Sequence, residues 1–265
     1  ETAELNMSYE KVAIDYVGHV AVLKLNAPDV LNALSPPMVQ EMSSAITDII
    51  RSDARCLLIT GEGRAFCAGA NLQTMGAADG LPAAGSVLET HYHPVMTKLR
   101  NMEIPMVSAV NGAAVGVGMS FAVMADLVVA ARSAYFLQAF ANIGLVPDGG
   151  ATFLLPRIIG WSRAVELSML AERLPAETAL DWGLVNRVVD DDKLMEEALA
   201  LATRLANGPR SLGLMRQAYW ATFSNSYSEQ FQLEANLQGI ASASADNREG
   251  VKAFLEKRPA KFTGK

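Results

Sequence analysis

The chain has 265 residues, of which 51% are hydrophobic and 19% are charged, and its formal net charge is -6. This composition predicts a folded protein with a large core and excludes an extended, disordered chain. The acidic balance argues against a nucleic-acid-binding protein, whose affinity rests on a basic surface, but it allows an anionic small molecule held by a local basic spot.

The sequence shows no sign of secretion. Its first residues, ETAELNMS, lack the basic start and the apolar stretch of a signal peptide, so we expect a short tail and a cytoplasmic protein. Cys56 and Cys67 stand in or beside apolar runs without the spacing of a metal site. They predict reduced thiols packed in the core.

The first predicted elements are a β-hairpin and a helix. Val12 to Val17 and Val20 to Leu25 flank Gly18-His19, a pair suited to a tight turn. A helix follows, with Ser35 as its N-cap and Pro36 as its first residue. Its predicted buried face consists of apolar residues at helical spacing: Met38, Met42, Ala45, Ile46 and Ile49.

Three buried strands are predicted further along: CLLIT from Cys56, MVSAV from Met106 and DLVVA from Asp126. The uncharged stretch from Met106 to Ala125 is long enough to span a bilayer. However, Asn111 and the glycines in its middle favour a buried strand, a glycine-rich turn and a buried helix. Strands separated by helices predict right-handed crossovers and a mostly parallel sheet.

The second half of the chain has mainly helical patterns from Trp161 onward: WSRAVELSML, PAETALDW, DDDKLMEEALALATRL and SYSEQFQLEANL. We expect an α/β core over residues 1–200 and a helical region over residues 201–265 that packs on the core or on a neighbouring subunit. Between Met75 and Ser86, glycine and other small residues predict no regular structure.

Two glycine-rich turns leave the ends of predicted strands. Gly61 to Leu72 follows CLLIT, and Val110 to Ser120 follows MVSAV. Ligands of α/β proteins bind at the C-terminal ends of strands, where glycine lets backbone N–H groups approach them. Two N–H groups converging on one carbonyl oxygen would form an oxyanion hole; tight turns and close packing are the other interpretation. Neither turn has the spacing of a dinucleotide or phosphate loop.

Asp148 is the one carboxylate in the run from Phe140 to Thr152, where it follows Pro147 and precedes two glycines. An aspartate here can form a turn before a helix. Among apolar neighbours it can also serve as an acid or base, because burial raises the pKa of a carboxyl group.

Taken together, the motifs resemble the crotonase superfamily, the enoyl-CoA hydratase/isomerase family. The resemblance covers nearly the whole chain and rests on motifs in order: NAPDVLNAL, GEGRAFCAGANL, PMVSAVNGAAVGVG, ADLVVA, GLVPDGGAT, ALDWGLVNRVV and REGVKAFLEKR. It implies an α/β fold with a crotonase-like ββα spiral core and a helical C-terminal region. It also implies an acyl-CoA thioester as substrate, with no cofactor beyond the CoA moiety.

The resemblance assigns candidate binding residues in the two glycine-rich turns. The backbone N–H groups of Ala70 and Val117 would hold the thioester oxygen as an oxyanion hole. The family usually has glycine where Val117 stands, and a valine there affects how closely the backbone can approach the bound thioester. The CoA would run past Ala68 and Asn71.

The resemblance further implies a homo-oligomer, a trimer or a dimer of trimers, with residues 201–265 as its trimerisation region. Phe254 and Lys257 match residues that contact the CoA of a neighbouring subunit. Taken without the resemblance, this pair would indicate an exposed helix with one core phenylalanine.

Hydratases of the family use two glutamates, and counting along the motifs places Ser120 and Phe140 at those positions. Neither side chain can do that acid–base work. Asp148 remains, and it resembles the single acid of isomerase branches, most closely the phenylacetate-pathway branch that acts on 1,2-epoxyphenylacetyl-CoA and shifts 3-enoyl double bonds to the 2 position. We therefore expect isomerisation of a CoA thioester by Asp148. The alternatives are an enoyl-CoA hydratase and a catalytically silent CoA-ester-binding subunit.

Other residues are weaker candidates. His91 and His93 have a spacing that suits a metal pair, but no third ligand accompanies them, so surface or packing histidines are favoured and no metal is expected. Glu89 and Asp79 lie near the same loop. A nucleophilic Asp148, as in aryl-CoA dehalogenases of the superfamily, and an RNA-binding relative are further alternatives; the acidic charge disfavours the second.

Overall fold

The computed structural model describes residues 9–72 and 84–265. In these ranges the strands are β1 (Val12–Val17), β2 (Val20–Leu25), β3 (Cys56–Gly61), β4 (Ala65–Cys67), β5 (Met106–Val110), β6 (Ala113–Val115), β7 (Leu127–Ala131), β8 (Tyr135–Leu137), β9 (Leu174–Pro175) and β10 (Arg187–Val189). The helices are α1 (Pro36–Arg51), α2 (Ala84–Val87), α3 (His93–Arg100), α4 (Val117–Val123), α5 (Ala151–Ile158), α6 (Trp161–Leu170), α7 (Ala176–Asp181), α8 (Leu194–Ala206), α9 (Ser211–Ala221), α10 (Tyr227–Ser242) and α11 (Ala245–Leu255). A π-helical turn, Leu88–Tyr92, joins α2 to α3.

Two sheets form the core. Within the described ranges, the larger sheet has the order β1-β2-β3-β5-β7-β10 and the smaller one the order β4-β6-β8-β9. The hairpin of β1 and β2 is antiparallel, and the other neighbours in the larger sheet are parallel. Each of β3, β5 and β7 is followed by one strand of the smaller sheet and then by helix. This repeat confirms the predicted α/β fold with a ββα spiral.

Helix α1 confirms the prediction from its apolar spacing. Ser35 is the N-cap, and its side chain accepts a hydrogen bond from the Met38 N–H. The buried face consists of Met38, Val39, Met42, Ala45, Ile46 and Ile49.

The uncharged stretch from Met106 to Ala125 forms β5, β6 and α4, and most of its side chains are buried. Within the described residues, no helix has both the length and the apolar character that a bilayer span requires. Cys56 and Cys67 are buried free thiols, as predicted, and burial raises the pKa of each to about 12. Both thiols therefore stay protonated at neutral pH.

One predicted irregular segment is partly helical. Residues 84–86 belong to α2, so the prediction for Met75 to Ser86 is wrong there, and residues 75–83 lie outside the described part of the chain. The Val87 side chain of α2 is buried in the hydrophobic core. We attribute the helix to this burial, which offsets the unfavourable helix propensity of Gly85. The predicted boundary at residue 200 falls within α8, and the division into a core and a trimerisation region stays a prediction.

Helix α9 is fixed to the core by a buried arginine. The Arg216 guanidinium pairs with the Asp126 carboxylate at 2.9 Å and donates hydrogen bonds to the carbonyl groups of Leu99, Arg100 and Met102. The sequence patterns did not single out α9. Trp220 of the same helix also packs against the core. The arginine contact, unlike an apolar stripe, produces no helical periodicity in the sequence.

Replacing Arg216 with methionine tests this attachment. The variant keeps much of the side-chain volume but leaves the Asp126 carboxylate and the carbonyl groups without their partner. We expect the free energy of unfolding, measured by urea denaturation, to fall by about 3–5 kcal/mol. The control is Lys193→Met, which breaks an exposed, solvent-screened pair with Glu196 and should change the free energy of unfolding far less. Equal losses in the two variants would contradict the assigned role.

Candidate active site

The segment after β3 is held in place by a buried asparagine. Asn32 is fully buried and has a left-handed φ of 56°. Its Oδ1 accepts a hydrogen bond from the Ala27 N–H at 2.8 Å. Its Nδ2 donates to the Glu62 carbonyl at 2.9 Å and to the Ala65 carbonyl at 2.8 Å. Asn32 therefore fixes both ends of the turn that connects β3 to β4.

The same region positions the predicted CoA-binding segment that follows β4. The Ala68 N–H donates to the Leu31 carbonyl at 2.9 Å, and the Asn71 N–H donates to the Leu34 carbonyl at 2.9 Å. The Leu34 N–H in turn donates to the Gly69 carbonyl at 2.7 Å. These hydrogen bonds hold the backbone of Ala68 to Asn71 against the loop that precedes α1.

The turn after β6 lies directly against this segment. A Cβ added to Gly118 would lie 2.7 Å from both Cβ and Sγ of Cys67. Gly69 has a left-handed φ of 94°, and its added Cβ would lie 2.9 Å from the Val115 carbonyl oxygen. Glycine is therefore required at both positions, because any side chain would separate the two turns.

The backbone N–H groups of Ala70 and Val117 extend from these adjoining turns. In the described part of the chain, neither N–H donates a hydrogen bond. Val117 is the first residue of α4, so its N–H has no acceptor inside the helix. Two unpaired amides on turns in mutual contact are the arrangement that an oxyanion hole requires. Their role in binding a thioester oxygen stays a prediction.

Asp148 occupies a glycine turn at the start of α5. Gly149 and Gly150 both have left-handed φ values, 60° and 81°. The Asp148 carbonyl accepts hydrogen bonds from the Ala151 N–H at 3.1 Å and from the Ser120 hydroxyl at 3.0 Å. Asp148 thus forms the turn that its sequence context predicted, and the turn is attached to α4.

The Asp148 side chain has an unusual environment for a carboxylate. Its Oδ1 is buried, and within the described residues this oxygen has no hydrogen-bond partner. Burial raises the pKa of Asp148 to about 6, and a nearby His93 opposes part of this rise because its positive charge favours the carboxylate. A carboxyl group with this pKa is ionised at neutral pH but readily accepts a proton.

Tyr92 connects Asp148 to the segment after β4. Its hydroxyl donates to the Leu34 carbonyl at 3.2 Å. Burial raises the pKa of the Tyr92 phenol, and the nearby Cys67 and Asp148 shift it in the same direction. Tyr92 therefore bonds to the loop that holds the Ala68–Asn71 segment, and its phenol lies near enough to Asp148 to respond to that carboxylate's charge. Tyr92 was not predicted; the only signal was its place between two histidines in HYHP.

Ser120 and Phe140 stand at the two positions where, by the resemblance, hydratases of the family carry glutamate, and both make other contacts here. The Ser120 hydroxyl bonds to the Asp148 carbonyl. Phe140 is 7% exposed, and its ring carbons lie 3.6–3.8 Å from where a Gly116 Cβ would stand. The structure places no carboxylate at either position.

Phe254 and Lys257 are not brought to this site. Phe254 is 83% exposed near the end of α11, and Lys257 is exposed just beyond it. The Asp246 carboxylate at the start of α11 accepts hydrogen bonds from the chain's final residues, and Arg55 donates to the Phe262 carbonyl. Arg55 immediately precedes β3, so this attachment lies at the N-terminal end of that strand, whereas the candidate site follows the C-terminal ends of β4 and β6.

The weaker candidates have few contacts of their own. His91 Nδ1 lies 2.7 Å from the Thr90 hydroxyl, and His93 and Glu89 are exposed. Among the described residues, no group of three or more potential metal-binding side chains is assembled. Asp79 lies outside the described residues.

The chain is similar to known proteins over nearly its full length. Residues 16–265 match the family described as Enoyl-CoA hydratase/isomerase. The chain is 43% identical over 260 residues to a probable enoyl-CoA hydratase of Rhodobacter capsulatus, covering 98% of this chain and 100% of that protein. It is also 43% identical over 250 residues to the 1,2-epoxyphenylacetyl-CoA isomerase of Escherichia coli K12, covering 93% of this chain and 95% of that protein.

The fold is also similar to solved structures. A crystal structure of a putative enoyl-CoA hydratase from Streptomyces coelicolor A3(2) matches with a TM-score of 0.92 and 29% identity, covering 100% of this chain and 98% of that one. The predicted crotonase-like fold is thereby confirmed.

The two glycines after Asp148 allow a matched test of how tightly its turn is packed. Alanine is strained at both, since both φ values are left-handed. A Cβ on Gly149 would lie 2.9 Å from Cβ of Ser120, whereas among the described residues nothing lies within 4 Å of one on Gly150. We expect Gly149→Ala to lower the free energy of unfolding by about 1–3 kcal/mol more than Gly150→Ala does, measured by urea denaturation. Equal losses would show that the turn can move away from α4 at no cost.

Proposed function

The chain belongs to the enoyl-CoA hydratase/isomerase family, and from this premise we propose that it isomerises an acyl-CoA thioester with the single carboxylate of Asp148. The observation that carries the proposal is the buried environment of that carboxylate, which raises its pKa. It is held beside the adjoining turns, one of its oxygens is buried without a partner among the described residues, and burial raises its pKa to about 6. Such a group suits repeated proton transfer near neutral pH.

The proposed reaction moves one proton between two carbons of the acyl chain. Asp148 removes a proton from C2 of a 3-enoyl thioester, and the electron pair of that C–H bond passes into the thioester carbonyl. The N–H groups of Ala70 and Val117 stabilise the resulting enolate oxygen, a contribution of about 3–4 kcal/mol for each donor. Asp148 then returns the proton to C4, which leaves the double bond between C2 and C3.

Hydration is the competing reaction, since the Rhodobacter capsulatus relative is named a probable hydratase. Adding water to a double bond requires a base for the water and an acid for the carbon. The Ser120 hydroxyl is engaged with the Asp148 carbonyl, and Phe140 presents an apolar ring. Neither position supplies the second acid that hydration requires, which favours isomerisation. The Escherichia coli relative is named for a ring-epoxide substrate, so we propose this substrate class beside linear 3-enoyl thioesters.

We also propose that the chain acts as a homo-oligomer, a trimer or a dimer of trimers. Large apolar side chains are exposed along the C-terminal helices, among them Tyr219, Tyr227, Phe231 and Phe254. Surface of this kind is typical of subunit contacts. Phe254 and Lys257 would reach the CoA of a neighbouring subunit, and the only cofactor group required is the CoA of the substrate. A cytoplasmic location stays a prediction.

The variant Asp148→Asn tests the proposed acid–base role. It keeps the shape of the side chain but cannot accept a proton, so we expect the isomerisation rate to fall by about a hundredfold or more. Turnover of 3-enoyl-, 2-enoyl- and 1,2-epoxyphenylacetyl-CoA would be followed by ultraviolet absorbance and mass spectrometry, and binding of a product thioester by calorimetry.

Binding should stay within about threefold of the parent protein, because the N–H groups of Ala70 and Val117 are unchanged. Glu196→Gln, on the exposed face of α8, serves as the matched control. An unchanged isomerisation rate in Asp148→Asn would refute the proposed role. Rapid hydration of 2-enoyl-CoA by the parent protein would assign the chain to the hydratases instead.

The pKa of Asp148 predicts the pH dependence of the reaction. The carboxyl must be ionised to accept a proton, and burial raises its pKa to about 6, so protonation inactivates it as the pH falls below that value. We expect kcat/KM to be constant above about pH 7 and to fall about tenfold per pH unit below about pH 6. An acid limb near the ordinary aspartate value of about 4 would assign the proton transfer to an exposed carboxylate.

A further inference from the structure

The turn that carries Asp148 has a specific backbone geometry. Asp148 is its first residue, Gly149 and Gly150 have the positive φ values of a type I′ turn, and the Ala151 N–H closes it on the Asp148 carbonyl at 3.1 Å. Two successive glycines make such a turn easy to form but also easy to deform, because glycine restricts the backbone less than any other residue. A contact from outside the turn is therefore needed to give it one position.

Ser120 supplies that contact. It is fully buried in α4, and its hydroxyl donates to the Asp148 carbonyl at 3.0 Å, across 28 residues of sequence. A serine inside a helix commonly bonds to the carbonyl four residues before it, here Gly116. The Ser120 hydroxyl instead donates to a carbonyl on another element, while the Gly116 carbonyl accepts the ordinary helical N–H of Ser120 at 3.2 Å.

The side chain of Asp148 has little to orient it. Its Oδ1 is buried without a hydrogen-bond partner among the described residues, as a base that must face a substrate carbon would be. Because no hydrogen bond among the described residues orients this oxygen, the position of the Asp148 backbone bears directly on where the carboxylate points, and the Ser120 hydroxyl bonds to that backbone. The Ser120 Cβ also lies close beneath the turn, 2.9 Å from where a Gly149 Cβ would stand.

We propose that Ser120 is a positioning residue: its hydroxyl fixes the Asp148–Ala151 turn and so aims and shields the carboxylate that transfers the proton. This rests on the proposed function of Asp148. In this role Ser120 acts through the carbonyl of Asp148 and does not itself transfer the proton. Its loss would let the turn shift and let water reach the carboxylate.

The test compares Ser120→Ala, which removes the hydroxyl, with Ser120→Thr, which restores it. Small displacements of a catalytic group cost large factors in rate, so in Ser120→Ala we expect kcat to fall about tenfold or more with KM within about twofold. Hydration of the carboxylate lowers its pKa, so the acid limb of kcat/KM should move by about half a unit or more to lower pH. Ser120→Thr should recover the parent rate within about threefold and the parent pH profile.

Ser108→Ala is the matched control. Ser108 is also a fully buried serine, on β5, but within the described residues its hydroxyl has no hydrogen-bond partner. Its removal should leave kcat and the acid limb unchanged. A loss of rate in Ser120→Ala with an unmoved acid limb, or equal effects in the two alanine variants, would overturn the positioning role.

A direct titration separates this proposal from the proposed function. The ¹³C signal of the Asp148 carboxyl, assigned by its absence in Asp148→Asn, would be followed against pH in the parent protein and in Ser120→Ala. A lower pKa in Ser120→Ala supports the positioning role even if the parent protein isomerises none of the thioesters, in which case the proposed function alone fails. An unchanged pKa refutes the positioning role even if Asp148→Asn abolishes isomerisation.

Discussion

The candidate site depends on how closely two backbone turns approach each other. The turn after β6 rests on Cys67 at the end of β4, at a distance that leaves no room for a side chain on Gly118. The strands that lead into the turns pair as parallel neighbours, and Asn32 fixes the connection from β3 to β4. Sheet pairing and the Gly118–Cys67 contact thus determine the distance between the two turns. The unpaired N–H groups of Ala70 and Val117 lie on these adjoining turns, and their positions depend on the backbone.

A carboxylate beside such turns is costly to maintain. The pKa of Asp148 rises from the ordinary value of about 4 to about 6. A carboxyl that binds its proton more tightly in the folded state destabilises that state wherever it is ionised. The cost is fully present above about pH 6, fades as the pH falls towards about 4, and amounts to about 3 kcal/mol at most. The apolar core offsets this cost, and the site thereby keeps a base that is ionised yet weakly solvated.

The sequence predicts those parts of the fold that depend on local pattern. The Ser35 cap, the apolar face of α1 and the strands from Cys56 and Met106 all appear where their periodicity places them. Asp148 could be identified because the family motifs leave it as the remaining acid. Contacts between distant elements have no such signal: nothing in the local pattern joins the Ser120 hydroxyl to a carbonyl 28 residues away, or Arg216 to Asp126. Helix α9 was missed for the same reason.

One acid is sufficient for the proposed reaction because the buried site then holds one negative charge throughout. The charge begins on Asp148 and passes to the thioester oxygen beside the N–H groups of Ala70 and Val117 as the proton is removed. It returns to Asp148 when the proton is delivered to the next position on the chain. A second carboxylate at Ser120 or Phe140 would add another charge to a region where each unpaired ion costs several kcal/mol. A neutral serine and a phenylalanine there avoid that cost, and the serine hydroxyl is left free to hold the turn that carries the base.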